Sequence, residues 1–359
     1  MRTAFALSAL AALAFATPTP QELDIDAIIA APDPQVSGPA QNVNTQSIPY
    51  DAAAAKAAAA APITEPVEKR SLKARAQGDC APQSNGKGPK PPVDSDAAFL
   101  AYDKFRTQSK SAAVPAGYEP AFNNLQGSIH QNAYMGVHTF DTYDPAKCAQ
   151  RCNAHAGCVA FNVFFERNPT VDAGPECPNP PAFTNPKCTL WGLPVAAASA
   201  TNKGQYRGPQ DANGNSFHVV ITGSNGYNKV APPPALAGFD GPTELDGAIN
   251  APLDNGVNTY MGQKYFNQAY DPAVCATACQ SQTAYNKRHP TDGKYKPCNF
   301  FTAYVITVNE APQGLYCALY SRSWDESYAT NHGQWRGSDF YSVVNAYSYT
   351  LNPTDSGTI

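Results

Sequence analysis

The stretch Tyr143-Asp-Pro-Ala-Lys-Cys-Ala-Gln-Arg-Cys-Asn-Ala-His-Ala-Gly-Cys158 predicts one short helix with a clear start signal. Asp144 can cap the free backbone N–H groups, and Pro145 fits the first helical position, where its missing donor costs nothing. Because Cys148 and Cys152 are four positions apart, both project from one face of this helix. The helix is therefore expected to be tied down at two points.

The same pattern returns in the second half of the chain. Tyr270-Asp271-Pro272 leads into Cys275 and Cys279, with the same cap, the same proline and the same spacing. Further matches occur in the same order in both halves: Leu125-x-Gly127-x-Ile129 with Leu245-x-Gly247-x-Ile249, Tyr134-Met135-Gly136 with Tyr260-Met261-Gly262, and Gly204-Gln205-Tyr206-Arg207-Gly208 with Gly333-Gln334-Trp335-Arg336-Gly337. An internal repeat of this kind predicts two similar domains.

Each repeat reads as a capped helix followed by several short strands with polar turns. A helix packed across a curved antiparallel sheet, an α+β fold, is the natural solution for such an order. The predicted boundaries are an N-terminal extension with one helix (71–115), a first domain (116–228), a Pro-rich linker (229–236), a second domain (237–352) and a C-terminal tail (353–359). The four cysteines that the repeats share allow three connectivities, and spacing alone does not choose among them.

The N-terminus has the features of a secretory signal. Residues 1–16 combine Arg2 with a short apolar run and a small-residue cleavage site that ends at Ala16. Residues 17–70 are rich in Pro, Ala and acidic residues and close on the dibasic pair Lys69 and Arg70, which resembles a processing site. We therefore predict a disordered propeptide, the alternative being an uncleaved flexible tail.

The ten cysteines all follow residue 70. An even number of cysteines behind an export signal predicts a disulfide framework. A zinc site would need clustered thiolates and imidazoles, but the chain has no C-x-x-C and its histidines are scattered. We expect no metal and no cofactor.

The two cysteines on the helix, a third that opens a strand at Cys158, and a fourth in Cys188-Thr-Leu-Trp191 resemble the PAN/apple domain family. The signal, the dibasic segment and the tandem layout resemble secreted apple-domain proteins of filamentous fungi. The resemblance implies these pairs: Cys148–Cys188, Cys152–Cys158, Cys275–Cys317 and Cys279–Cys298. Cys80 and Cys177 remain, and we expect them to join the extension to the first domain. The long insertion between Cys279 and Cys298 departs from the family pattern.

Motifs of known enzymes are missing from the sequence. It contains no G-x-S-x-G, H-E-x-x-H or G-x-x-x-x-G-K-[ST]. Asp141, Asp144, Glu166 and Asp172 lie near the first helix and the strand after it, so a hydrolase with a carboxylate pair stays open as a less favoured hypothesis. The simpler interpretation is that Asp144 caps the helix and the others are solvated. We expect no enzyme activity.

The best binding candidates are the repeated pairs Tyr206–Arg207 and Trp335–Arg336. An aromatic ring beside a guanidinium can stack on a sugar and donate hydrogen bonds to its oxygens. The alternative is that both rings belong to the core between sheet and helix. Trp324 has no counterpart in the first repeat and is predicted to be an exposed loop contact.

The balance of basic and acidic residues argues against a polyanionic partner. The chain has 25 Lys and Arg against 29 Asp and Glu, and loss of residues 1–70 would leave it nearly neutral. Nucleic acid is therefore not an expected partner, and no later stretch is apolar enough for a membrane span. The expectation is a secreted, extracellular or cell-wall-associated protein that binds a glycan through its tandem domains. The alternative is a protein-protein module, such as an adhesin or an inhibitor of a foreign enzyme; the oligomeric state stays open.

Overall fold

The computed structural model describes residues 23, 25–39, 43–61, 78–84 and 86–359. In these residues helices pack on curled antiparallel sheets, and five disulfides crosslink the chain, as expected for a mixed fold. The predicted signal sequence with Ala16 and the dibasic pair Lys69 and Arg70 lie outside the described residues.

The described α-helices are α1 (Asp26–Ala30), α2 (Ala52–Ala59), α3 (Asp96–Leu100), α4 (Asp103–Ser111), α5 (Pro145–Asn153) and α6 (Pro272–Arg288). The strands up to the linker are β1 (Thr45–Ser47), β2 (Tyr118–Leu125), β3 (Tyr134–Thr139), β4 (Ala160–Pro169), β5 (Ala182–Trp191), β6 (Gly204–Arg207) and β7 (Phe217–Lys229). The strands beyond it are β8 (Phe239–Leu245), β9 (Tyr260–Phe266), β10 (Phe300–Val308), β11 (Ala311–Tyr320), β12 (Gly333–Arg336) and β13 (Asp339–Leu351).

The two sheets have the same strand order. In the first sheet β3, β5, β4 and β7 lie side by side, and β7 carries both β6 and β2 on its other edge. In the second sheet β9, β11, β10 and β13 follow in the same way, and β13 carries both β12 and β8. The sequence repeat therefore corresponds to a repeated sheet topology.

One helix crosses each sheet and is crosslinked to it. Cys148–Cys188 joins α5 to β5, and Cys152–Cys158 joins the end of α5 to the turn before β4. Cys275–Cys317 and Cys279–Cys298 do the same for α6 in the second sheet. With Cys80–Cys177, these are the five pairs named above from the resemblance and its leftover cysteines.

Both helices begin as their sequences indicate. The Asp144 carboxylate accepts a hydrogen bond from the Lys147 N–H at 2.9 Å, and Asp271 accepts one from the Ala273 N–H at 2.9 Å. Proline follows each cap in the first turn. Helix α6 is longer than α5 because the insertion after Cys279 continues the helix to Arg288.

The N-terminal extension contains two helices where one was expected. The chain leaves the helical conformation at Tyr102, which has extended backbone angles, and α4 starts at Asp103. The break lets Phe99 and Phe105 meet, with ring centroids 4.6 Å apart, and Phe105 lies 4.4 Å from Phe165 of β4. The packing of both phenylalanines against the sheet accounts for the interruption of the helix.

Part of the segment expected to be disordered is folded against both sheets. Strand β1 extends the first sheet by pairing with β3, with Gln46 opposite Val137. Helix α2 buries Ala55 and Ala59 in the core beside α6, and Lys264 Nζ donates to the Ala59 carbonyl at 2.5 Å. The alanine tract has no amphipathic pattern, so its sequence does not reveal which face is buried; its small side chains allow the close approach.

Strand alternation divides each sheet into two faces. On the helix side of the second sheet lie Phe301, Val305, Cys317 and Leu319, in one cluster with the α6 cysteines. The opposite face of the same strands belongs to a separate cluster, which contains Phe300, Tyr304, Ile306, Tyr316 and Tyr320. The disulfide-linked helices therefore leave one face of each sheet for other contacts.

We predict that the disulfides stabilise the fold according to loop length. Cys148–Cys188 spans 40 residues and Cys152–Cys158 spans 6. The chain-entropy relation gives a loss of about 4 kcal/mol for replacing the first pair by alanines and about 2 kcal/mol for the second. All four cysteines are buried, so the cavity costs are matched. Urea unfolding of both double variants measures the difference, and equal losses would contradict it.

Candidate ligand-binding site

Tyr206 and Trp335 lie at equivalent positions on the short outer strands β6 and β12. Tyr206 pairs with His218 of β7, and Trp335 pairs with Phe340 of β13. Both strands start at a glycine with positive φ, where a Cβ would lie 2.0 Å from the Val219 oxygen at Gly204 and 2.1 Å from the Tyr341 oxygen at Gly333. Glycine is thus needed for these strands to approach the sheet.

Both aromatic rings are exposed, so the core interpretation is wrong for them. Tyr206 and Trp335 are each 69% exposed. Each ring nevertheless has a ring partner across the strands: Tyr206 stacks on His218 with centroids 4.1 Å apart and planes 11° apart, and Trp335 contacts Phe340 at 5.1 Å. An exposed ring supported in this way is held in position for a ligand.

A cleft of about 820 Å³ lies on one side of the Tyr206 ring. His218 forms part of its wall, and its Nδ1 lies 2.7 Å from Asp96 Oδ2. The hydrogen bond with His218 holds the pKa of Asp96 below its ordinary value. Arg167, which bonds Asp94 at 2.8 Å, lines the same cleft. The supporting residue of Tyr206 is therefore itself fixed by charge.

A second polar cleft, of about 770 Å³, is also lined by Tyr206. Its lining includes Arg207 and the polar side chains of β4 and β5 that face away from α5, namely Asn168, Asn185 and Lys187. These side chains are joined by hydrogen bonds: Asn185 donates to Asn168 at 2.9 Å, and Asn168 donates to Glu166 at 2.7 Å. The cleft thus offers amide and cationic donors beside an aromatic ring.

Glu166 accepts hydrogen bonds from two members of this network, Asn168 and Lys187. Its carboxylate contacts Lys187 Nζ at 2.5 Å, and both side chains are largely buried. Burial alone would raise the pKa of Glu166, but the Lys187 ammonium, the hydrogen bonds from Lys187 and Asn168, and the charge of Arg207 hold that pKa below its ordinary value. Glu166 is accordingly the structural counter-ion of the cleft.

The two candidate arginines have different surroundings. Arg207 lines the open cleft of the first sheet. Arg336 is paired at 2.5 Å with Asp26, a residue of α1. Beside it, the Gln334 side chain bonds the backbone of Leu23. Each arginine directly follows its aromatic residue on the strand, so the two side chains lie on opposite faces of the sheet, and only Arg336 contacts the N-terminal segment.

Trp324 is not the exposed contact that the sequence indicated. It is 7% exposed, and its indole Nε1–H donates to Thr259 Oγ1 at 3.0 Å. Tyr328 packs on one side at 4.8 Å, and the Arg322 guanidinium lies 4.5 Å from the ring. A polar partner for the indole and an apolar pocket for the ring explain why this tryptophan is internal.

The candidate carboxylates are distributed among separate roles. Asp144 caps α5, Glu166 pairs with Lys187, and Asp141 lies 3.4 Å from Lys87 with both side chains exposed. Every cysteine of the described residues is in a disulfide. In the same residues, no group of three His, Cys, Asp or Glu side chains is placed to hold a metal ion.

Sequence reasoning missed the residues that build the clefts around Tyr206. His218, Asn168 and the pair Asn185 and Lys187 come from three different strands and follow no motif. A weak signal does exist in β4, where Asn162, Glu166 and Asn168 share the face opposite to Phe161, Val163 and Phe165. Polar residues on one face of a buried strand indicate a polar cleft.

Comparison with models of protein families, with curated proteins and with solved structures finds no match to this chain. In the part of the chain that the structure describes, no helix has the length and apolar character needed to cross a membrane.

We predict that Glu166→Gln destabilises the fold at neutral pH. The change leaves the largely buried Lys187 ammonium without its counter-ion, at a cost of about 3 kcal/mol. The pKa of Glu166 is lower in the folded state than in the unfolded state. The stability that its ionised carboxylate adds to the wild-type protein is therefore fully present above the unfolded-state pKa, and it is lost as the pH falls through the folded-state pKa. Urea unfolding at pH 7 and in acid measures both effects.

The control for this prediction is Asp141→Asn, which removes an exposed ion pair and should change stability by about 0.5 kcal/mol or less. An equally small effect of Glu166→Gln, or a deficit that stays constant from pH 7 into acid, would contradict the role assigned to the buried pair.

Proposed function

We propose that this protein is a secreted, non-catalytic binding protein that recognises carbohydrate through two apple-like repeats. The proposal rests on two exposed aromatic side chains at equivalent positions, Tyr206 on β6 and Trp335 on β12. Each ring is exposed, occupies the same position in its sheet, and is backed by a ring on the neighbouring strand. Tyrosine and tryptophan are enriched at binding surfaces, where the ring offers an apolar face and a polar group.

The groups around Tyr206 support a polar, uncharged or weakly acidic ligand. A sugar ring has an apolar face that can lie on an aromatic ring, and hydroxyls that need hydrogen bonds at its edge. The cleft beside Tyr206 supplies amides from Asn168 and Asn185 and cationic donors from Lys187 and Arg207. Binding sites commonly combine an apolar platform with a few placed polar groups in this way.

Several observations support the rest of the proposal. The five disulfides are consistent with an extracellular location, and the predicted signal at 1–16 supplies a route to it. The family resemblance rests on the motif residues. The non-catalytic role is supported by Glu166, which acts as the counter-ion of Lys187.

The prediction that tests this function concerns retention on insoluble chitin, β-glucan and cellulose. We expect the intact chain to be retained on at least one of them after a high-salt wash. Tyr206→Ala and Trp335→Ala should each weaken retention about tenfold or more, because the substitution removes the apolar ring surface that the sugar would bury, worth roughly 1.5 kcal/mol or more. The double variant should lose more than either single one if both platforms engage a repeating polymer.

Leu253→Ala is the matched control, since Leu253 is also an exposed apolar side chain, at 62%, but lines neither cleft. Circular dichroism of all variants verifies folding. Retention that is absent on all three polysaccharides, or that survives the double substitution unchanged, would contradict the proposal and favour a protein partner.

A further inference from the structure

The N-terminal segment formed by residues 23 and 25–28 lies on the face of the second sheet that α6 leaves free. Leu23, Ile25 and Ile28 are 5%, 2% and 8% exposed. They belong to the same apolar cluster as Tyr304 and Tyr320, which point away from the α6 disulfides. The segment thus covers an aromatic surface in the manner of a bound peptide.

Polar contacts fix this segment through its backbone and one carboxylate. The Leu23 N–H donates to Gln334 Oε1 at 2.8 Å, and Gln334 Nε2 donates to the Leu23 carbonyl at 3.0 Å. Arg336 holds Asp26 at 2.5 Å. A side-chain amide that bonds both backbone groups of one residue fixes that residue's backbone without selecting its side chain, whereas the guanidinium selects an acidic residue.

The same face of the first sheet forms a cleft, which is lined in part by the chain's own Gly38, Pro39 and Asn44. Gln205 and Arg207 of β6 correspond to Gln334 and Arg336 of β12. Gln205 and Arg207 line the cleft of about 770 Å³. The equivalent surfaces therefore differ in occupancy: a polar cleft in the first sheet and a tyrosine-rich surface covered by the chain's own segment in the second. The dibasic pair Lys69–Arg70 lies in the sequence between this segment and the second sheet, so cleavage there would make the contact intermolecular.

We propose that the tyrosine-rich face of the second sheet, with Gln334 and Arg336, is a peptide-binding surface and that this N-terminal segment occupies it as a built-in ligand. The partner is a protein segment of the same chemistry, with apolar residues at the positions of Leu23, Ile25 and Ile28 and an acidic residue at the position of Asp26. While the segment is tethered, its high effective concentration excludes such a partner. This surface is separate from the Tyr206 clefts and does not depend on glycan binding.

The test uses the full chain and a fluorescent peptide of residues 21–30, Gln-Glu-Leu-Asp-Ile-Asp-Ala-Ile-Ile-Ala. The chain is opened by Ile25→Asp with Ile28→Asp, which removes the apolar contacts of the tethered segment. Fluorescence anisotropy should show binding to the opened chain at least tenfold tighter than to the unmodified chain. A peptide that carries Asp26→Lys should bind at least tenfold more weakly, because it opposes Arg336.

Receptor variants locate the binding in the opened chain. Gln334→Ala with Arg336→Ala should weaken binding at least tenfold. The matched control, Gln280→Ala with Arg288→Ala, removes the same residue types from exposed positions of α6 and should leave binding unchanged. Binding that survives loss of Gln334 and Arg336 would overturn the proposal.

A second opened form keeps the test independent of how the substitutions affect folding. A site for a sequence-specific protease inserted after the exposed Gly38 is cut once the chain has folded, and the peptide then exchanges with the released segment. Failure of the peptide to bind both opened forms, each verified as folded by circular dichroism, would overturn the proposal. A dimer of the intact chain that the peptide dissociates would assign the surface to a second copy's segment and overturn the foreign partner.

Discussion

The disulfide between the helix and the strand beneath it is the constraint on which the rest of the structure depends. Cys148–Cys188 and Cys275–Cys317 hold α5 and α6 across their sheets, and all four sulfurs are buried. Because side chains alternate along a strand, fixing the helix decides which residues form the core and which face the other way. The opposite faces are thereby released from core packing and become available for contacts that the core cannot make.

The two sheets use this released face differently. In the first sheet it carries Asn168, Asn185 and the Glu166–Lys187 ion pair, which line or support an open cleft. In the second sheet it is an apolar, tyrosine-rich surface that packs against the N-terminal segment. The two outer strands thus present equivalent exposed rings, Tyr206 and Trp335, while the free faces of their sheets differ in chemistry.

The local signals of the sequence were sufficient for the two helices, because each start depends on neighbouring residues: an aspartate cap, a proline and cysteines four positions apart. The same approach failed where a contact is distant. Trp324 is buried by Thr259 and Tyr328, and the segment with α2 folds because its alanines meet α6, which composition does not reveal. Tyr206 could be named from its repeated motif, whereas His218 beneath it could not.

Hydrogen–deuterium exchange of the intact chain with soluble chito-, laminari- and cello-oligosaccharides tests directly whether the outer strands carry the ligand sites. We expect one of these oligosaccharides to slow amide exchange at 204–207 and 217–220, and at 333–336 and 339–342, where β6 and β12 pair with their neighbours. Slower exchange confined to other surfaces, or unchanged exchange with all three oligosaccharides, would contradict it.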